Sequence, residues 1–149
     1  MPVFSLEKKN IVITGACGHL GLEQTKSLVE GGSVVLALCR NSSSLEDLAK
    51  QNENLVVKKI DLRNEKSVES TIRDFCGDCG PIDGLVNNAY FATKGVNFYQ
   101  SKKQILEELD SSFVQYWTTS RIAIKYFEMK KGGSIVNCGS LFGNLSPNL

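Results

Sequence analysis

Five short apolar runs, each closed by glycine or a polar cluster and each followed by a stretch of helical spacing, set the pattern of this chain. Ile11-Val12-Ile13 runs into Thr14-Gly15, and Val34-Val35-Leu36-Ala37-Leu38 ends at Cys39-Arg40-Asn41. A third run over residues 55–60 closes at Asp61-Leu62, a fourth over 82–86 feeds Asn87-Asn88-Ala89-Tyr90, and a fifth over 134–138 ends in Gly139-Ser140. Such short continuous runs suit strands buried on both faces of a parallel sheet. After Gly21, Leu20, Leu28 and Val29 alternate with Glu23, Gln24, Lys26 and Glu30, which predicts a helix of about three turns stopped by Gly31-Gly32. Further helices are predicted over 45–51, 64–75 and 102–130, with a turn over 76–81 and an aromatic-rich loop over 91–100. Strand and helix alternate without internal repeat or low-complexity linker. The fold class is therefore α/β, a Rossmann-like parallel sheet with helices on both faces.

The turn Thr14-Gly15-Ala16-Cys17-Gly18-His19-Leu20-Gly21 joins the first strand to the first helix. Gly15 can turn the chain out of the strand, Gly18 lets a diphosphate approach the main chain, and Gly21 allows close packing of the helix on the sheet. The free N–H groups of that helix would meet the phosphates. A plain glycine turn is the alternative. Arg40 lies where cofactor selectivity is read, and with no acid beside it points to the 2′-phosphate of NADP, while equally fitting a solvated surface arginine. Asp61 suits an adenine amino group and the cap of the next helix equally well. His19 reads as a solvated side chain at the rim.

Composition narrows the partners. Seventeen basic and sixteen acidic residues leave a net charge of +1 with no basic run, which speaks against nucleic acid. No run is long enough to cross a bilayer and the first residues lack a signal-peptide core, so the chain reads as cytoplasmic. Five scattered cysteines read as reduced thiols. The single CxxC, Cys76-Gly77-Asp78-Cys79, has no second ligand pair, so no metal site is expected.

In order along the chain, the glycine turn (a TGxxGxxG variant), Asp61-Leu62, Asn87-Asn88-Ala89 and the stretch from Gly133 to Ser140 resemble the short-chain dehydrogenase/reductase family. The resemblance implies hydride transfer between NADP or NAD, NADP favoured, and a small carbonyl or alcohol substrate. It implies cofactor contacts at Thr14, Gly15, Cys17, Gly18, His19, Leu20, Gly21, Arg40, Asp61, Leu62, Asn88 and Ala89, with Ser140 hydrogen-bonding the substrate oxygen. Asn87-Asn88-Ala89 would stabilise the central sheet, with Tyr90 in place of the family's glycine. Ser112 falls where the family usually has an asparagine of the proton relay. Tyr90, the following Thr93-Lys94-Gly95 and Gly139-Ser140-Leu141-Phe142-Gly143 are similar to a bacterial branch associated with flagellin modification and surface-sugar biosynthesis, making a sugar derivative a candidate substrate.

In that family a Tyr-x-x-x-Lys pair follows the serine. The pairs in this chain, Tyr90/Lys94, Tyr99/Lys103 and Tyr126/Lys130, all precede Ser140. Tyr126/Lys130 is expected at the wrong end of the sheet, and the other two in a loop and across a helix start. Residues 1–149 are therefore expected to form a dinucleotide-binding domain incomplete after its fifth strand, without turnover alone and homo-oligomeric in intact form. An exposed fifth strand would favour low stability or aggregation. Two rival readings are a nucleotide-binding module without chemistry and a subunit completed by a partner chain.

Overall fold

The computed structural model describes residues 5–42, 44–90 and 101–140. Five parallel strands, β1 (Asn10–Thr14), β2 (Val34–Cys39), β3 (Leu55–Lys59), β4 (Gly84–Asn87) and β5 (Ser134–Asn137), form one sheet in the order β3-β2-β1-β4-β5. The connecting helices are α1 (His19–Glu30), α2 (Glu46–Gln51), α3 (Glu65–Cys79), α4 (Lys102–Leu109) and α5 (Gln115–Met129). The first three strands step away from β1 in one direction and β4 returns to its other flank. The strand order thus reverses between β1 and β4, where an open α/β sheet leaves a crevice at its carboxyl edge.

Alternate residues of each strand feed two cores. Val12, Leu36, Leu38 and Leu85 lie with Val68, Ile72 and Phe75 of α3 and Ile122, Ala123 and Phe127 of α5. On the other face Ile13, Val35, Ala37 and Leu55 pack with Val29 of α1 and with Leu45. Two apolar faces require runs without polar alternation, which is why the strands stand out in the sequence.

The helices depart from expectation in three places. In α1 the buried stripe is Gly21, Thr25 and Val29, while Leu20 is 59% exposed: the helix starts at His19 and turns Gly21, not Leu20, onto the sheet. Helix α3 runs on through Cys79, so Cys76 to Cys79 form its last turn instead of a loop. The Asn10 side-chain amide receives its end, donating to the carbonyls of Cys79, Gly80 and Pro81 at 2.7, 3.1 and 3.3 Å. The helix expected over 102–130 is interrupted by a π turn, Asp110–Val114. There the Ser111 and Ser112 hydroxyls both donate to the Glu108 carbonyl, at 3.1 and 2.6 Å, in competition with the regular ladder.

The amino edge of the sheet is fixed by Asp83, which accepts from the Asn10 N–H at 2.9 Å, from Lys130 at 2.7 Å and from Lys9 at 3.2 Å. Burial would raise this carboxyl, but those donors outweigh it and hold it below its ordinary value. At the sheet's flank β5 carries Val136 at 53% exposure, with Ile135 partly packed against the α5 core.

Candidate functional site

The end of β1 and the turn after it are clamped to the end of β4 by side chains. Thr14 Oγ1 accepts the backbone N–H groups of Asn88 and Ala89, both at 3.1 Å, and donates to the Val86 carbonyl at 3.4 Å. The Asn88 amide donates in return to the carbonyls of Thr14 and Gly15, both at 3.1 Å. Gly15 has φ +65°, and a Cβ there would lie 2.7 Å from the Ala89 Cα. At Gly21 a Cβ would lie 2.1 Å from the Gly15 carbonyl oxygen. Only Gly18 of the three has an open side, its nearest neighbour for a Cβ being the Gly15 oxygen at 3.2 Å.

Above this turn lies a crevice of about 1500 Å³ along the carboxyl edge of the sheet. The turn contributes Gly15, Cys17, Gly18, His19, Leu20 and Gly21 to its floor and rim, with His19 exposed at the first position of α1. Asn88 and Ala89 enter from β4, while Thr14 lies behind the surface as the clamp. At one end β2 and β3 deliver Arg40, Asp61 and Leu62.

Asp61 is paired in a fork with Arg63, at 2.5 Å between Asp61 Oδ2 and Arg63 Nη2. That guanidinium holds the Asp61 carboxyl down at about 2 against the effect of burial, and the charge of Arg40 adds to the lowering. Capping, the alternative role for Asp61, belongs to Asn64, whose side chain accepts the Ser67 N–H at 3.1 Å.

The opposite end is built by β4, α5 and β5. Asn87 is fully buried: its amide donates to Ser120 Oγ at 3.0 Å and to Asn137 Oδ1 at 2.8 Å, and its oxygen accepts from Thr119 Oγ1 at 2.6 Å. Tyr116 Oη donates to the Cys138 carbonyl at 3.2 Å. Burial, with the nearby Cys138, pushes the Tyr116 phenol up, so it stays a neutral donor at ordinary pH. Ser140 follows on the crevice wall, exposed and two residues beyond that anchored carbonyl. Ser112 also lines this end, its hydroxyl engaged with Glu108.

Asn87 lies in the Asn87-Asn88-Ala89 motif expected to stabilise the sheet, whereas its partners Thr119 and Ser120, and Arg63, Tyr116 and Trp117, were not singled out by sequence motifs. The signal for the lattice was a polar pair, Thr119-Ser120, on the face of α5 that also buries Ile122 and Ala123. Tyr126 and Lys130 lie away from the crevice: Tyr126 packs beside the α5 core and Lys130 pairs with Asp83 at the amino edge. Lys94 and Tyr99, from the other two pairs, and the loop expected over 91–100 lie outside the described residues, as do Leu141, Phe142 and Gly143. Among the described residues no group of three or more His, Cys, Asp or Glu could hold a metal ion, and no helix is long and apolar enough to cross a membrane.

A family model described as short chain dehydrogenase matches residues 9–148. The chain is 27% identical over 151 aligned positions to the post-translational flagellin modification protein A of Campylobacter coli, covering 95% of this chain and 59% of that protein. It is 30% identical to 3beta-hydroxysteroid dehydrogenase 2 of Eggerthella lenta, covering 93% and 55%. Among solved structures, a short-chain type dehydrogenase/reductase from Mycobacterium marinum superposes with a TM-score of 0.88 at 21% identity, over 99% of this chain and 62% of that one. The chain thus spans a little over half the length of these relatives.

Proposed function

The chain belongs to the short chain dehydrogenase family, and from that premise we propose that its crevice binds a nicotinamide dinucleotide, NADP(H) in preference to NAD(H), for hydride transfer to or from a small carbonyl or alcohol. One observation carries this reading: Gly15 and Gly21 are packed too closely for any side chain, while Gly18 keeps its open side at the start of α1. That is a cradle in which a diphosphate meets main-chain N–H groups and the positive end of a helix. Cys17, His19 and Leu20 flank the cradle, Leu62 and Ala89 give apolar contact, and Arg40 receives the 2′-phosphate.

A bound nicotinamide supplies or accepts hydride. Ser140 donates a hydrogen bond to the substrate oxygen, and the Tyr116–Cys138 and Asn87–Asn137 contacts fix the strand end that presents it. A proton donor must also reach that oxygen. The one tyrosine–lysine pair described in full, Tyr126 and Lys130, lies at the other edge of the sheet. Tyr126 and Lys130 therefore do not supply it, and the protein that carries this chain is read as a cytoplasmic, homo-oligomeric enzyme. The likeness to a flagellin modification protein, together with the sequence resemblance to a branch associated with surface-sugar biosynthesis, makes a sugar derivative the first substrate class to try.

Trp117, the single tryptophan, lines the crevice and reports on it. Titration with NADPH should quench its fluorescence at lower concentration than NADH does. Equal affinities, or preference for NADH, would remove the role given to Arg40, and binding of neither would remove the cofactor. The rival module reading predicts the same binding; it wins over the enzyme reading if the protein that carries this chain shows no NADPH-dependent reduction of any carbonyl substrate tried.

A further inference from the structure

Two cysteines from different elements meet on the crevice surface near Arg40. Cys39 is the last residue of β2 and is buried, whereas Cys17, on the glycine turn, is half-buried; both face the crevice. The Ala16 N–H donates to the Leu38 carbonyl at 3.3 Å, which fastens the turn to the end of β2 one residue before each cysteine. Beyond that bond the two cysteines are the next residues of their segments, side by side on the crevice wall, and each thiol lies within electrostatic reach of the other. The remaining cysteines are placed otherwise. Cys76 and Cys79 lie at the end of α3 that Asn10 caps, at the amino edge of the sheet, and the Cys138 sulfur takes the Gln24 amide at 3.4 Å.

We propose that Cys17 and Cys39 form an oxidisable pair, converted by a peroxide to a disulfide that closes this end of the crevice to dinucleotide. The closing rests on the cofactor reading given above; the disulfide does not. Cys17 is the sulfur that meets the oxidant, because Cys39 is covered and its thiol, pushed up to about 12 by burial and by its neighbour, carries no thiolate at ordinary pH. The Cys17 sulfur attacks one peroxide oxygen, the O–O bond breaks, and a sulfenic acid forms as the departing hydroxide takes the Cys17 thiol proton and leaves as water. The Cys39 sulfur then attacks the Cys17 sulfur, the S–O bond breaks as the S–S bond forms, and the leaving hydroxide takes the Cys39 proton as a second water. Two thiols lose two electrons and one peroxide is reduced to two waters. Bonded sulfurs stand about 2 Å apart, so the turn is drawn toward the end of β2 in the space beside Gly18.

The experiment treats the full 149-residue chain with hydrogen peroxide, maps cross-links by non-reducing peptide mass spectrometry, and titrates NADPH before oxidation, after it and after dithiothreitol. A Cys17–Cys39 peptide is expected, together with at least a tenfold loss of NADPH affinity that dithiothreitol reverses, and saturating NADPH should slow the cross-link. Cys39→Ser should yield no such peptide, and its NADPH affinity, whatever its value, should not change on oxidation. Absence of the peptide overturns the pair. A cross-link with unchanged affinity, or an equal loss in Cys39→Ser, overturns the closing. A reduced chain that binds no dinucleotide overturns the cofactor reading and the closing with it, while the cross-linked peptide still decides the pair.

Discussion

A missing methyl group sets the geometry of the turn between β1 and α1. A Cβ at Gly21 would meet two pieces of backbone, the Gly15 oxygen at 2.1 Å and the Ala16 Cα at 3.0 Å, and neither can swing aside as a side chain tip could. Gly21→Ala should therefore cost about 2–3 kcal/mol by displacing α1 from the turn, read from the urea midpoint, and should weaken NADPH binding by tenfold or more. Gly77 is the contrasting case, exposed in α3 with nothing near its absent Cβ. Gly77→Ala should stabilise by about 0.5–1 kcal/mol through helix propensity. The sequence marks Gly21 by its place in the glycine turn and leaves Gly77 unmarked, but it does not say what either absent Cβ would meet. What separates them is which backbone passes within reach, a matter of tertiary placement.

Asp61 carries a pH signature at the same scale. Its carboxyl is lowered to about 2 by Arg63, with an unfolded value near the ordinary 3.8. A depressed carboxyl contributes stability in full above the unfolded value and loses it as pH falls from about 4 towards 2. Because 43% of the side chain is exposed, solvent screening limits the effect to below about 1 kcal/mol. Asp61→Asn should flatten the change in urea midpoint between pH 5 and pH 2.5 relative to the parent chain, with a smaller difference left at pH 2.5 than at pH 5.

Between elements, the buried lattice at Asn87 ties β4 to α5 and β5. Thr119 Oγ1 is the hydroxyl that satisfies the Asn87 oxygen, at 2.6 Å. Thr119→Val keeps the shape and leaves that buried acceptor unpaired, for an expected loss of about 2 kcal/mol. Ser120→Ala removes one of two acceptors from the Asn87 amide, which keeps Asn137 at 2.8 Å, so its loss should stay under about 1 kcal/mol. Chemical denaturation of the two variants side by side checks the difference. Strands were the legible elements because two-sided burial writes an unbroken apolar run. Helices were less so: the last turn of α3 depends on an amide delivered from β1, and the π turn on two neighbouring serines sharing one carbonyl. The Asn88 clamp and the glycine cradle are dense local motifs and could be read from sequence, whereas Tyr116 reaches Cys138 only through the folding back of β5.

At the scale of the molecule, apolar surface is unevenly spent. Leu109, Phe113 and Trp117 follow one another at helical spacing across α4, the π turn and α5; Phe113 is 70% exposed and Trp117 62%. Together with the uncovered Val136 on β5, this ridge should drive association that grows with concentration. Light scattering from micromolar upward should detect it, and Phe113→Ser should reduce it; a chain that stays monomeric over that range would count against the proposed oligomer. The parallel sheet and its two cores follow from the alternation of elements, whereas the return of β4 to the far flank of β1 is a choice that the alternation leaves open. The open ridge could not be read, since its residues carry the same helical spacing that elsewhere marks a buried face.

The central position of β1 also governs the order in which the protein can be completed during synthesis. One flank of β1 finds its partner in β2, whose paired residues begin at Val34, while the other waits for β4, whose paired residues begin at Gly84. In the interval Ile11, Val12 and Ile13 present an unfilled row of hydrogen-bonding groups to anything nearby, at the stage when non-local pairing is slowest and misassociation easiest. A ribosome-stalled chain ending in α3 should thus be bound by chaperones, and one extended well past β4 released. The strand made first waits for its second neighbour until three more strands have been made.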